Sequence, residues 1–214
     1  SHVQTFVGSR DGGPRAAIVA PSTARLWPVT DFTTGDTAAA LLQCETAAST
    51  MKNLMLISSY LDITRPSGDI LPSELLAAVR HCQSSNIPFI VAMDSNAHSP
   101  LWGSDTNPRG EELEEFILKY GLRIENVGSA PTFVGRGAST IIDITLTWNV
   151  PVQNWQVSDE TTLSDHCLLT YEMETTPATS AAPEFPFNFR KMDWTRFREH
   201  LSNEPLFFHP HFWT

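Results

Sequence analysis

The sequence is poor in cysteine and lacks any long hydrophobic run. Its three cysteines, Cys44, Cys82 and Cys167, form no CxxC pair, which disfavours a disulfide framework and a structural zinc site. No apolar stretch approaches the roughly 20 residues that a membrane helix needs, and the first residues show no apolar core typical of a signal peptide. We therefore expect no membrane association and an intracellular, reducing compartment.

Basic residues are also scarce. Lys and Arg number 14 against 24 Asp and Glu, which gives a formal net charge of −10. Taken alone, this balance argues against broad electrostatic binding to nucleic acid, but it allows a local basic patch or an acidic centre that holds a divalent metal. Hydrophobic residues make up 41% of the 214 residues and charged residues 18%, as in a globular chain that can bury a sizeable core.

Composition divides the chain into three parts. Residues 1–174 form the predicted domain, residues 175–187 are rich in Pro, Ser, Thr and Ala and are predicted to be a linker, and residues 188–214 form a basic and aromatic carboxyl-terminal segment.

The mixed order of strands and helices predicts an α/β fold, with two mixed sheets packed as a sandwich and the helices outside. Residues 94–109 have no periodicity and are predicted to be a long functional loop. We predict strands at 15–20, 37–46, 53–60, 88–93, 122–127, 140–148, 152–157 and 167–173, and helices at 72–84 and 110–119.

Three groups of polar residues stand at strand ends or inside apolar strands. Asp94 and Asn96 follow the apolar run 89–93, Asp143 lies within Ile-Ile-Asp-Ile, and Asp165 and His166 precede the apolar residues 167–169. A carboxylate among isoleucines is costly unless it has a partner, and a histidine that it orients is such a partner. Together these groups suit metal-assisted hydrolysis of a phosphate ester.

Each group also has a simpler interpretation. Asp94 and Asn96 are common turn residues, backbone donors could satisfy Asp143, and His166 taken alone could be structural. The joint pattern favours a catalytic site over three unrelated structural residues.

The motifs MDSNAHS, STIIDITL and LSDHCLL resemble those of the endonuclease/exonuclease/phosphatase superfamily, which includes DNase I and the apurinic endonucleases. The run NAHSPLWG at 96–103 and Pro131-Thr132-Phe133 are similar to the endonuclease domains of non-LTR retrotransposons. The basic segment 190–197 resembles the stretch that leads towards their reverse transcriptase. The resemblance covers about residues 15–200.

This resemblance implies a role for each motif residue. Asp94 would orient or deprotonate the attacking water, and Asn96 would bind the scissile phosphate. Asp143 would hold His166, which would contact the phosphate and support its developing charge. Asp165 would lie near the metal and the nucleophile.

Further residues are implied at the edge of the site. Tyr60 matches a tyrosine that contacts the phosphate, although a half-buried strand aromatic is the alternative. Arg136 lies in a turn similar to a hairpin that enters a DNA groove, and Thr132 would lie near the DNA. His98 is a third candidate DNA contact, with a bracing role in its loop as the alternative.

The sequence departs from the family in one respect. Family members begin with a βαβ segment that carries an Asn and the principal Glu metal ligand, and residues 1–13 contain no counterpart of that Glu. The resemblance therefore implies a domain whose first βαβ segment is not contained in these 214 residues, either because the chain is incomplete or because the segment was lost.

Taken together, the resemblance implies a Mg²⁺-dependent DNA endonuclease, with Mn²⁺ as the alternative ion. It would nick double-stranded target DNA in the nucleus and leave a 3′-hydroxyl that primes the reverse transcriptase region of the same polyprotein. One alternative is a phosphoesterase of the same superfamily that acts on a phosphoinositide, a sphingolipid or RNA. Another is a catalytically dead remnant that binds DNA.

Overall fold

A computed structural model describes residues 3–45, 51–135 and 137–173 of the chain. Two α-helices, α1 (Ser73–Ser84) and α2 (Pro108–Lys119), and two short 3-10 helices (Thr30–Phe32 and Pro100–Trp102) accompany the strands. The strands are β1 (Val3–Val7), β2 (Ala17–Pro21), β3 (Leu26–Pro28), β4 (Thr37–Glu45), β5 (Met51–Tyr60), β6 (Phe89–Asp94), β7 (Arg123–Ile124), β8 (Phe133–Gly135), β9 (Ala138–Thr140), β10 (Asp143–Trp148), β11 (Val152–Val157) and β12 (Leu169–Met173).

A six-stranded mixed sheet forms the centre of the fold, with strand order β3-β4-β5-β6-β10-β7. Strands β5 and β6 are parallel, since α1 connects them as a crossover, and the other neighbours in this sheet are antiparallel. Among the described residues, β1–β2, β8–β9 and β11–β12 form separate antiparallel pairs.

Both α-helices pack on one face of this sheet. Helix α1 presents Leu75, Val79 and Cys82 at helical spacing, and α2 presents Leu113 and Phe116 in the same way. Asn107 caps α2, because its side-chain oxygen accepts a hydrogen bond from the Gly110 amide at 2.7 Å. The larger hydrophobic core lies between these helices and the sheet.

The opposite face of the sheet is covered only in part. The β11–β12 pair packs over Leu54 and Ile90 through Val152 and Trp155, which form a second and smaller core. The β1–β2 pair lies against β4 and β5. A cleft remains between these two pairs, and it is described below because the polar motif residues lie in it.

The structure confirms the predicted fold class of mixed sheets with helices outside. Strands β1, β3 and β8 are absent from the prediction because they are short and only partly buried. The predicted strand 140–148 is two strands, since the amides of Ile142 and Asp143 donate to the Thr132 hydroxyl rather than to a neighbouring strand. The predicted strand 122–127 is reduced to Arg123–Ile124.

Other predictions concern the loop and the chain ends. The predicted loop 94–109 contains a 3-10 helix, and α2 starts at Pro108 rather than at residue 110. The predicted linker 175–187 and the carboxyl-terminal segment 188–214 lie outside the described residues, so this division of the chain stays a prediction. None of the described helices is long and apolar enough to cross a membrane.

Candidate active site

Three candidate site residues form one row across three neighbouring strands. Tyr60 at the end of β5 is in register with Asp94 at the end of β6, and Asp94 is in register with Asp143 at the start of β10. Side chains of residues in register point to the same face of a sheet and lie about 5 Å apart at Cβ. The pairing therefore brings one hydroxyl and two carboxyl groups to one edge of the cleft.

His166 completes this row from the segment before β12. Its Nδ1 lies 3.0 Å from both carboxylate oxygens of Asp143, and its Nε2 lies 3.9 Å from Asp94 Oδ2. The ring edge of Phe133 packs against the imidazole, with ring centroids 5.1 Å apart. Asp143 thus fixes the orientation of the imidazole and leaves Nε2 directed at the second carboxylate.

The surroundings of the row shift the pKa values of Asp94 and His166. Burial, reinforced by the nearby charge of Asp143, raises the pKa of Asp94 to about 6. The hydrogen bond that His166 Nδ1 donates to the Asp143 carboxylate raises the pKa of His166 above its ordinary value, which favours the imidazolium. A carboxyl group with a pKa of about 6 beside a histidine whose pKa is raised is an arrangement that suits proton transfer.

The turn after β6 places Asn96 beside this row. Asn96 has a φ of 45°, in the left-handed region that asparagine tolerates. Its backbone N–H donates to Asp94 Oδ1 at 3.3 Å. Ser95 is fully buried and its hydroxyl donates to the Ile142 carbonyl at 2.6 Å. The turn between Asp94 and Asn96 is therefore tied directly to the segment that carries Asp143.

The cleft has a volume of about 570 Å³. Ser58 and Ala92 line it on the sheet, and Arg15 borders it on the side of β2. The Arg15 guanidinium donates to Asp36 and Asp62 at 2.6–2.8 Å and lies 4.2 Å above the centre of the Tyr60 ring. This ion cluster, which the sequence did not reveal, fixes one wall of the cleft and the tyrosine beside it.

A metal ion has one evident place in this row. Among the described residues, the group that could hold a metal is Asp94, Asp143 and His166, whose ligand atoms lie within 4.8 Å of one another. Asp165, the predicted metal ligand, lines the cleft but is exposed and does not belong to this group. The role of Asp165 near the metal stays a prediction.

The predicted DNA contacts that the structure describes do not lie in the row. Thr132 is fully buried, and its hydroxyl accepts hydrogen bonds from the amides of Ile142 and Asp143, so it cannot touch DNA and instead supports the start of β10. His98 is half-buried and braces its own loop, with Nδ1 2.8 Å from the Ser104 hydroxyl. Arg136 lies outside the described residues.

The sequence profile of the endonuclease-reverse transcriptase family matches residues 54–170, which is more than half of the chain and contains the whole row. The chain belongs to this family. A 115 kDa protein in the type-1 retrotransposable element R1DM of Drosophila melanogaster is 32% identical over 136 residues, which is 56% of this chain and 13% of that protein. The chain thus spans a small part of the length of this relative.

Solved structures show the same fold. The endonuclease domain of TRAS1, a telomere-specific non-LTR retrotransposon, superposes with a TM-score of 0.69 at 22% identity, over 82% of this chain and 81% of that one. A mannosyl-6-phosphatase of Bacteroides thetaiotaomicron superposes with a TM-score of 0.54 at 15% identity, over 80% and 77%. The resemblance to the endonuclease domains of non-LTR retrotransposons, and the DNase I-like fold, are confirmed.

Proposed function

We propose that this endonuclease-reverse transcriptase family member nicks double-stranded DNA by hydrolysing one phosphodiester and leaves a 3′-hydroxyl that primes reverse transcription. The observation that supports this most directly is the row of Tyr60, Asp94 and Asp143 with His166 Nε2 3.9 Å from Asp94. Family membership supports hydrolysis of a phosphodiester, and the row supplies the groups that such hydrolysis needs.

Each residue of the row has a proposed task. Asp94 orients or deprotonates the attacking water from its place at the end of β6. The water oxygen bonds to phosphorus, the bond to O3′ breaks, and the leaving O3′ oxygen takes a proton from solvent. The products are a 5′-phosphate and a 3′-hydroxyl. His166, held by Asp143, supports the negative charge on the phosphoryl oxygens, and Asn96 and Tyr60 hold the phosphate.

The donor groups of the site fit a divalent cation. The two carboxylates of the group Asp94, Asp143 and His166 offer the hard oxygen ligands that Mg²⁺ prefers beside a phosphate, with Mn²⁺ as the alternative. A cation bound by Asp94 and Asp143 would supply positive charge next to the scissile phosphate. Asp165, whose carbonyl accepts a hydrogen bond from the Val134 amide, is proposed to lie near the metal and the nucleophile. The glycine-flanked Arg136 is proposed to contact the DNA.

Target DNA and a reverse transcriptase region of the same polyprotein are the proposed partners, and the nucleus is the proposed site of action. The R1DM protein comes from a retrotransposable element, which supports this proposal. The basic segment 188–214 would lead from the endonuclease domain, within residues 1–174, towards that region.

The direct test is nicking of supercoiled plasmid by the chain with Mg²⁺ and with chelator. We expect open circles that require the metal and carry a 3′-hydroxyl, which polymerase extension of the nick would reveal. His166→Ala should lower the rate about a thousandfold while the circular dichroism spectrum is retained. His81, an exposed histidine on α1, provides the matched control, and His81→Ala should nick at the wild-type rate.

The net charge of −10 favours a second candidate, a phosphoesterase with a small or lipid substrate, because an acidic protein repels a polyanion. Phosphate release from inositol phosphates without plasmid nicking would support it. DNA binding without any hydrolysis would instead support a catalytically dead DNA-binding remnant, and undiminished nicking by His166→Ala would exclude the mechanism proposed above.

A further inference from the structure

Arg109 lies in the first turn of α2 and points towards the turn that carries Asn96. Its Nε donates to the Asn96 carbonyl at 3.0 Å, and its Nη2 donates to the Ser95 carbonyl at 3.4 Å. The same guanidinium reaches the loop after β5, where it donates to the carbonyls of Leu61 at 3.1 Å and Arg65 at 3.3 Å. One side chain therefore connects the loops that follow two of the three strands of the row.

The Leu61 carbonyl is the point where this connection reaches the side chain of Asn96. It accepts one hydrogen bond from Arg109 Nη2 and another from Asn96 Nδ2, both at 3.1 Å. The Leu61 amide in turn donates to the Asp94 carbonyl at 2.9 Å. The amide group of Asn96 is thus oriented by a carbonyl that Arg109 itself holds in place.

The backbone conformation of Asn96 indicates what the Arg109 hydrogen bonds stabilise. Asn96 adopts a left-handed φ of 45°, which asparagine tolerates, and the hydrogen bond from Arg109 Nε to its carbonyl holds the turn in this conformation. Without Arg109, the carbonyls of Leu61, Ser95 and Asn96 would each lose a donor, although Leu61 and Ser95 are fully buried. The turn could then relax, and the Asn96 side chain would lose the fixed Leu61 carbonyl to which its Nδ2 donates.

We infer that Arg109 is a positioning residue, which sets the orientation of Asn96 for the phosphate without touching the substrate. This inference rests on the proposed function, since it assigns a task to the same site. Four of the five N–H donors of the guanidinium are committed to backbone carbonyls, so little of it remains for a phosphate. An arginine that contacted DNA would instead present most of its donors to the cleft.

A double-mutant cycle tests this inference on the whole chain. Arg109→Lys keeps the charge but offers one nitrogen where the guanidinium offers three, and we expect its kcat for plasmid nicking to fall tenfold to a hundredfold while KM stays within about twofold. If Arg109 acts through Asn96, Arg109→Lys in an Asn96→Ala background should cause less than about a threefold further loss. Arg80 is the control, because it lies on α1 and its Nε donates to the Tyr120 hydroxyl. Arg80→Lys should keep the wild-type kcat.

Several results would overturn the inference. Losses that multiply in the double variant would mean that Arg109 acts independently of Asn96. A raised KM and a shallower salt dependence at unchanged kcat would mean a direct phosphate contact. Wild-type kinetics of Arg109→Lys would mean no role at all. Should this variant fail to fold, Arg109→Gln, which can still donate to one carbonyl, is taken through the same cycle.

Amide hydrogen exchange provides a readout that does not depend on activity. We expect Arg109→Lys to speed exchange in peptides that cover 61–65 and 95–97, and to leave the β10 amides at the wild-type rate. If the wild-type chain does not nick DNA but this exchange pattern appears, the proposed function fails and the role of Arg109 in holding the turn stands. Unchanged exchange in both peptides would refute that role.

Discussion

The two faces of the central sheet are stabilised in different ways, although the same strands form both. On the helix face, Met93 and Ile144 belong to a large apolar core. On the cleft face, their neighbours Asp94 and Asp143 form the row, which hydrogen bonds and charges hold together. The comparison shows that the residues contributing most to stability and those proposed for chemistry alternate along the same strands.

The alternation explains why the cleft can be polar without loss of the fold. Burial of the helix face supplies most of the hydrophobic stabilisation, at about 25 cal/mol per Å² of apolar surface. The cleft face can then hold a carboxyl group whose pKa is raised by burial, which is a destabilising arrangement at neutral pH. Three experiments would break or sharpen this contrast, and they follow in order of expected effect on stability.

Arg15→Met should have the largest effect of the three, because it removes the cation that lies 2.7 Å from the Asp62 carboxylate and leaves the Asp36 carboxylate with only the more exposed Arg10. We expect urea unfolding to show a loss of about 3 kcal/mol. Arg10 is the matched control, since it lies 3.6 Å from Asp36 with a side chain 37% exposed, and Arg10→Met should cost less than about 0.5 kcal/mol. Equal losses in the two variants would contradict the assigned role of the ion cluster.

Asp94→Asn should stabilise the chain at neutral pH while it abolishes nicking. The folded pKa of about 6 lies above the unfolded value, so the folded state binds more protons between pH 4 and 6 and loses stability as the pH rises. The shift is worth at most about 3 kcal/mol at 1.36 kcal/mol per unit, which residual exposure reduces to about 2 kcal/mol.

Urea unfolding in chelator at pH 4 and pH 7.5 would measure this gain, which should be near zero at the lower pH and complete at the higher. Asp69 is the control, because its side chain is 73% exposed, and Asp69→Asn should change stability by less than about 0.5 kcal/mol at both values. A gain from Asp94→Asn that is independent of pH would refute the raised pKa.

Val91 and Ala92 are adjacent in β6 and face opposite sides of the sheet. Substitutions at these two positions therefore test the two faces independently. Val91→Ala should cost about 1.5 kcal/mol, because two buried methyl groups are lost, and the folded protein should nick at the wild-type rate. Ala92→Leu should change stability by less than about 0.5 kcal/mol but lower nicking more than tenfold, because the larger side chain fills the cleft. The reverse pattern would mean that the faces are misassigned.

The sequence predicted side-chain contacts well where a polar residue lies among apolar neighbours. An aspartate among isoleucines required a partner, and the structure places His166 Nδ1 3.0 Å from Asp143. Long periodic elements such as α1 and β5 were also found close to their true bounds. The catalytic roles that the resemblance implies for these residues stay predictions.

Other features left no trace in the sequence. Arg109 donates to backbone carbonyls, which every residue has, so no residue pattern marks its partners. The Arg15 cluster joins residues 21 and 47 positions apart, and only the fold brings them together. Thr132 was mistaken for a DNA contact because the motif that contains it lies next to the site, whereas its hydroxyl serves the backbone of β10.

The row across β5, β6 and β10 also determines how this sequence can change in length. Since side chains alternate, inserting or deleting a single residue within β6 would turn Asp94 towards the helices and Met93 into the cleft. Such a change would remove the row and damage the apolar core in one step. Insertions and deletions among functional relatives should therefore occur in the connections between strands. The lengths of β5, β6 and β10 should stay constant wherever the site is functional.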